Sequence, residues 1–143
     1  MGRNDDKRKP PSRARPDEPK SADEPSYRGW LSFKHNFPDG RSSFDKEFAK
    51  LPVAIQETYL ELKERAAKGT ARSGAVKHIG DGIYELKNAQ SNNPYRLLYM
   101  TWGGFLVALT VFHKKDEKTD KTLALTRKKR WLDLSKKWAK PSS

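Results

Sequence analysis

The sequence predicts an α+β domain: an N-terminal strand and a helical hairpin packed on an antiparallel sheet of about four strands, followed by a C-terminal helix. Three observations predict it. Large apolar side chains recur at helical spacing in two stretches, from Phe44 to Ala66 and from Trp131 to Trp138. Between them, the short apolar runs from Ala75 to His113 are broken by Gly80-Asp81-Gly82, by residues 89–93 and by Gly103-Gly104, which is the punctuation of hairpin turns. The length, 143 residues, suits one domain with one modest core.

The elements follow in order. Residues 1–26 hold five of the nine prolines, thirteen charged side chains and only Met1, Ala14 and Ala22 as apolar residues. Such a composition cannot bury enough surface to offset its ordering entropy, so this segment is expected to be a disordered tail, with residues 27–140 forming the domain. Tyr27 to Lys34 alternates polar and large residues as a short strand does, and Pro38-Asp39-Gly40 turns the chain. Ser43 or Asp45 is expected to cap a first helix carrying Phe44, Phe48 and Leu51. Pro52 suits the first turn of a second helix carrying Ile55, Tyr59, Leu62 and Ala66, and Gly69 suits its stop. Strands are expected near 75–79, 83–88, 94–102 and 105–113. Thr119 or Asp120 then starts a last helix, with Lys128, Lys129 and Arg130 on its more exposed side and the helices on one face of the sheet.

Charge narrows the function. The formal net charge is +12, from 30 basic and 18 acidic residues. In residues 1–26 seven bases face six acids, so nearly all of the excess lies in the folded part, which has 23 bases against 12 acids. Residues 114–140 are the densest stretch, with eleven Lys or Arg against four Asp or Glu. A positive field of this kind attracts an anionic partner such as a nucleic acid. With no cysteine there is neither a disulfide framework nor a thiolate metal site, and His35, His78 and His113 lack metal-ligand spacing, so no metal or other cofactor is expected. The longest apolar run, Gly104 to Phe112, is too short to span a bilayer, and no signal peptide opens the sequence. The expectation is a soluble, cytoplasmic protein without membrane association.

One group of residues could carry chemistry. If the 83–88 and 94–102 strands pair so that 87 lies opposite 96, then 85 lies opposite 98, and Lys87 and Arg96 share a face. Like charges across a strand pair repel unless an anion or an acid lies between them. Either a bound phosphate or Glu85, on the same face, could supply that. Cleavage of RNA through attack by its own 2'-hydroxyl needs a base, positive charge on the phosphorane and a proton for the departing 5'-oxygen. Arg96 offers planar, bidentate donors for the phosphorane. A lysine crowded by other cations gives up its proton more readily, and Lys87, Lys114 and Lys115 are candidates for that role. His113 and Glu85 are alternative bases. Tyr84, Tyr95 or Phe112 could stack a nucleobase or simply pack. Lys118, Lys121, Arg127, Lys128, Lys129 and Arg130 are the expected contacts to RNA or the ribosome.

The run Gly82 to Lys87, the segment Asn93 to Tyr99 and the ending Phe112-His113-Lys114-Lys115 followed by Lys118 resemble the RelE/HigB toxin superfamily, in its phage-associated HigB-like branch. The resemblance spans about residues 27–138. It implies a small RelE-type sheet flanked by helices, ribosome-dependent cleavage of messenger RNA with ribosomal RNA as a contact, and a helix-turn-helix antitoxin as partner. It singles out Arg96, Lys114, Lys115 and Lys118 as site residues. Two features depart from the family pattern: Lys87 stands where the first motif usually ends in arginine, and the long proline-rich start is additional. Other implied classes are a non-catalytic toxin of this fold, such as one that inhibits DNA gyrase by contact, and a phage nucleic-acid-binding protein that has lost the activity.

Overall fold

A computed structural model describes residues 26–87, 94–114 and 121–137. The expected tail, except for Ser26, lies outside the described residues, as do the 89–93 turn, Lys115, Lys118, the expected helix start at Thr119 or Asp120, and Trp138. The chain order is β1 (Trp30–Ser32), α1 (Ser43–Ala49), α2 (Val53–Lys68), β2 (Val76–Gly80), β3 (Ile83–Leu86), β4 (Tyr95–Trp102), β5 (Phe105–His113) and α3 (Lys121–Ser135). These form an α+β domain around one five-stranded sheet of order β1-β5-β4-β3-β2.

The meander from β2 to β5 is antiparallel, as its turns require. Gly103 and Gly104, at φ 57° and 84°, form the two-residue link between β4 and β5, which needs two left-handed residues for its twist to match the strands. The opening strand adds a fifth member. β1 pairs parallel with β5, Trp30 opposite Leu106 and Ser32 opposite Ala108, so the sheet is mixed rather than wholly antiparallel.

The helices cover both faces of the sheet, not one. Side chains alternate across a strand. Four consecutive β4 residues, Leu97 to Met100, are nonetheless all buried, which requires cover on both sides. On one side α2 lies over Tyr84, Leu86, Leu97 and Tyr99: the Trp30 indole contacts Tyr99 at 5.0 Å and donates to the Lys63 carbonyl at 2.7 Å. On the other side α3 lies over Ile83, Leu98, Met100 and Trp102, with the Trp131 ring 5.6 Å from Trp102 and 4.3 Å from Phe37.

Local signals set the helix ends. The cap of α1 is Ser42 rather than Ser43 or Asp45. Its Oγ accepts the Asp45 N–H at 2.9 Å and donates to the Phe33 carbonyl, tying the helix start to the strand before it. Pro52 precedes α2, and Gly69 ends it at φ 75° with N–H bonds back to Ala66 and Arg65 from Gly69 and Thr70. Burial beneath the Trp30, Phe44 and Phe48 rings pulls the Lys63 ammonium below the usual lysine range, against the opposing pull of the Asp45 charge.

Candidate functional site

The register expected for the central strands is the one observed. Glu85 lies opposite Leu98 and Leu86 opposite Leu97, which carries Lys87 to the position facing Arg96. The Lys87 N–H bonds to the Ala75 carbonyl, extending the ladder one step past β3. On the other flank Arg96 lies opposite Phe112, and the Lys114 N–H bonds to the Pro94 carbonyl at 2.6 Å, extending that ladder in turn. Strand alternation therefore groups Glu85, Lys87, Arg96, Phe112 and Lys114 at one end of the α3-covered face. Lys77, opposite Glu85 on the edge strand, shares that face.

Arg96 meets an acid here. Its Nε lies 3.4 Å from Glu85 Oε2, and its Nη1 donates to its neighbour's carbonyl, Tyr95 O, at 2.8 Å. Of the two ways to offset the Lys87–Arg96 repulsion, the internal carboxylate is thus in place. The two side chains are 14% and 12% exposed, so they interact in a medium where charge is screened less than in open water. Arg96 is Glu85's only hydrogen-bond or ion-pair partner among the described residues, which leaves that carboxylate with acceptor capacity. Phe112 is half-buried beside Arg96, and Lys114 is exposed. A carboxylate, a guanidinium and ammonium groups around a partly open sheet end are the groups that phosphodiester transfer requires.

The structure does not bring His113 to this group. His113 lies opposite Tyr95 and alternates onto the α2-covered face, where its ring is 4.8 Å from that of Tyr95. Tyr84 is on that face too, stacked between His78 and Tyr99. Lys115 and Lys118 lie outside the described residues, in the connection between β5 and α3.

The cations of α3 are mostly turned onto the protein itself. Lys121 bonds to the Ile79 carbonyl at 2.9 Å and pairs with Asp81 at 3.2 Å. Lys128 donates to the Asp81 carbonyl, and Arg130 to the His35 carbonyl and Asn36 Oδ1. Arg127 pairs bidentately with Glu47, at 2.8 and 3.1 Å, and also donates to the Leu109 carbonyl at 2.8 Å. The Lys129 side chain is exposed and has no hydrogen bond or ion pair among the described residues.

Sequence reasoning missed a second group. On the α2 face, Tyr27, Arg72, Val76, Tyr84, Tyr99 and Thr101 help to line a cavity of about 350 Å³. These residues come from the start of the domain, the α2–β2 loop and three strands, and no local motif links them.

Comparison with known proteins now adds to the geometry. Residues 46–131 match the family model described as phage derived protein Gp49-like. The chain is 39% identical over 111 residues, 76% of its length and 89% of the relative's, to a protein named "Probable endoribonuclease HigB1" in two strains of Mycobacterium tuberculosis. Among solved structures, the toxin–antitoxin complex RelBE2 from Mycobacterium tuberculosis aligns with a TM-score of 0.42 and 19% identity, covering 62% of this chain and 92% of that one.

Proposed function

The chain belongs to the phage-derived Gp49-like family, the HigB-like branch its motifs resemble, and on that premise we propose that it is an endoribonuclease toxin of a toxin–antitoxin pair. Its substrate is messenger RNA held on the ribosome. The observation that carries the chemistry is the Arg96–Glu85 pair at the open end of the sheet, flanked by Lys87 and Lys114.

In this reading the ribose 2'-hydroxyl attacks the adjacent phosphorus, and Glu85 or one of the nearby lysines accepts its proton. Negative charge develops on the non-bridging oxygens of the phosphorane, where the Arg96 guanidinium and the ammonium groups of Lys87 and Lys114 stabilise it. The 5'-oxygen leaves with a proton from a lysine, Lys114 or Lys115, giving a 2',3'-cyclic phosphate and a free 5'-hydroxyl. Lys118 and the exposed cations of α3 hold messenger and ribosomal RNA through their phosphates.

The partner that silences this activity is an antitoxin with a helix-turn-helix fold, and the setting is the cytoplasm. No helix among the described residues is long and apolar enough to cross a membrane. Induced expression should arrest translation, with cuts mapping to codons on ribosome-bound transcripts. Growth arrest with transcripts intact would sink this reading. A second reading, RNA binding without cleavage, draws on the carboxylate already paired with Arg96. It predicts salt-sensitive RNA binding and no cuts even when ribosomes are present.

A further inference from the structure

The cavity on the α2 face has a one-sided chemistry. No Asp or Glu lines it; its polar groups are phenols, the Arg72 guanidinium and the hydroxyls of Ser73 and Thr101. The Arg72 guanidinium has no hydrogen bond or ion pair among the described residues. Tyr99 is 5% exposed, and its hydroxyl likewise has no hydrogen-bond partner among the described residues and is not sealed from the cavity. Burial, with the nearby Tyr27 and Tyr84 hydroxyls, pushes the Tyr99 phenol well above the ordinary range, so it stays protonated and able to donate. A half-buried guanidinium and protonated hydroxyls around a space with no acid are complementary to an oxyanion.

We propose that this cavity is a phosphate-binding subsite that takes a backbone phosphate of an RNA strand whose neighbouring segment lies against Arg96 on the opposite face. At about 350 Å³ the space exceeds what a bare ion needs and has room for the attached sugar. The route between the two faces crosses the edge strand. Lys77, opposite Glu85, and His78, against Tyr84, are successive exposed residues of β2 that project to the two sides. A strand leaving Glu85 and Arg96 thus meets Lys77, then His78, then the cavity.

The choice of RNA as the source of the phosphate rests on the ribonuclease reading, so the test uses probes that cannot be cut. The full chain is titrated with inorganic phosphate, with adenosine monophosphate and with an eight-nucleotide 2'-O-methyl oligoribonucleotide, and binding is followed by NMR. All three should shift the Arg72 and Tyr84 signals, with the oligonucleotide at least tenfold tighter than phosphate. Arg72→Ala, a loop substitution that leaves the core intact, should weaken the oligonucleotide roughly fivefold to tenfold and lower the slope of log affinity against log salt by about 0.7. Tyr84→Phe, which keeps the ring stack and removes the hydroxyl, should weaken it by a smaller factor.

Shifts confined to Glu85, Arg96, Phe112 and Lys114, or wild-type affinity in both variants, would overturn the proposal. So would an oligonucleotide no tighter than phosphate. Since nothing is cleaved, failure here leaves the ribonuclease reading standing. A chain that proves unable to cut RNA could equally show the subsite.

Discussion

Two arginine–glutamate pairs sit on the α3-covered side of the domain, their arginines nearly equal in burial and their carboxylates very differently engaged. Arg127 is 15% exposed and Arg96 14%. Arg127 meets Glu47 through two bonds and also donates to Leu109 O, while Glu47 accepts from Thr110 Oγ1 at 2.9 Å and from the Val111 N–H. Those backbone groups form the edge of β5 just beyond the point where β1 stops pairing, so the ion pair stands in for a missing strand. The Glu85 carboxylate, by contrast, has a single partner among the described residues, at 3.4 Å. Residue type and arginine burial do not separate the two pairs; the hydrogen-bond account around the carboxylate does.

The largest expected effect is therefore on stability, at Arg127. Arg127→Ala leaves Glu47 without its counter-charge beside a half-satisfied strand edge. It should cost about 3–4 kcal/mol, seen as a lower midpoint in urea with an unchanged slope. Glu47→Gln should retain part of that. A loss below about 1 kcal/mol would mean that α1 and α3 hold the β5 edge without the pair.

Arg96→Ala should reverse the balance. Cleavage of ribosome-bound messenger should fall about 10²–10³-fold, the usual consequence of removing one donor from a developing oxyanion. Stability should fall by only about 1–2 kcal/mol, because the ion pair it leaves is a single long contact to Glu85. Arg96→Lys, which keeps the charge without the fork, should recover stability more fully than rate. Double-mutant cycles sharpen the contrast: coupling for Arg127 with Glu47 should exceed that for Arg96 with Glu85 by about 2 kcal/mol. Equal coupling energies would assign Arg96 to the scaffold and move the chemistry elsewhere.

These differences were legible in the sequence only where they are local. The alternation in 83–88 and 94–102 fixed which residues share a face with Arg96, because a period of two leaves no other assignment once the register is set. The expectation of helices on one face overlooked the Leu97-Leu98-Tyr99-Met100 run, which carries the signal for cover on both sides, since a strand open on one face alternates instead. The same alternation separates His113 from Lys114, which adjacency along the chain obscures. Nothing in the sequence joins Arg127 to Glu47, 80 residues away, or Arg72 to Tyr99. Such pairings exist only after the sheet has brought distant segments together. The parallel pairing of β1 has the same origin: it depends on where β5 ends up, not on any residue in 30–32.

The α3 cations extend the comparison to lysines, with smaller effects. Lys128 donates to the Asp81 carbonyl at the β2–β3 turn, so Lys128→Ala should lower stability by about 1 kcal/mol.

Lys129 is next to it in sequence, exposed, and its ammonium is bonded to nothing among the described residues, so Lys129→Ala should leave the unfolding midpoint unchanged. If Lys129 contacts a phosphate of structured RNA, its removal releases one fewer counterion, and the slope of log affinity against log salt should drop by about 0.7–0.9. Lys128 keeps its charge while holding Asp81, so its own substitution should move both quantities. Two adjacent lysines that differed in neither would show that the helix acts only as a diffuse positive field. A slope that responds to Lys129 alone would instead place RNA on the outward side of α3, away from the contacts that fasten the helix to the sheet.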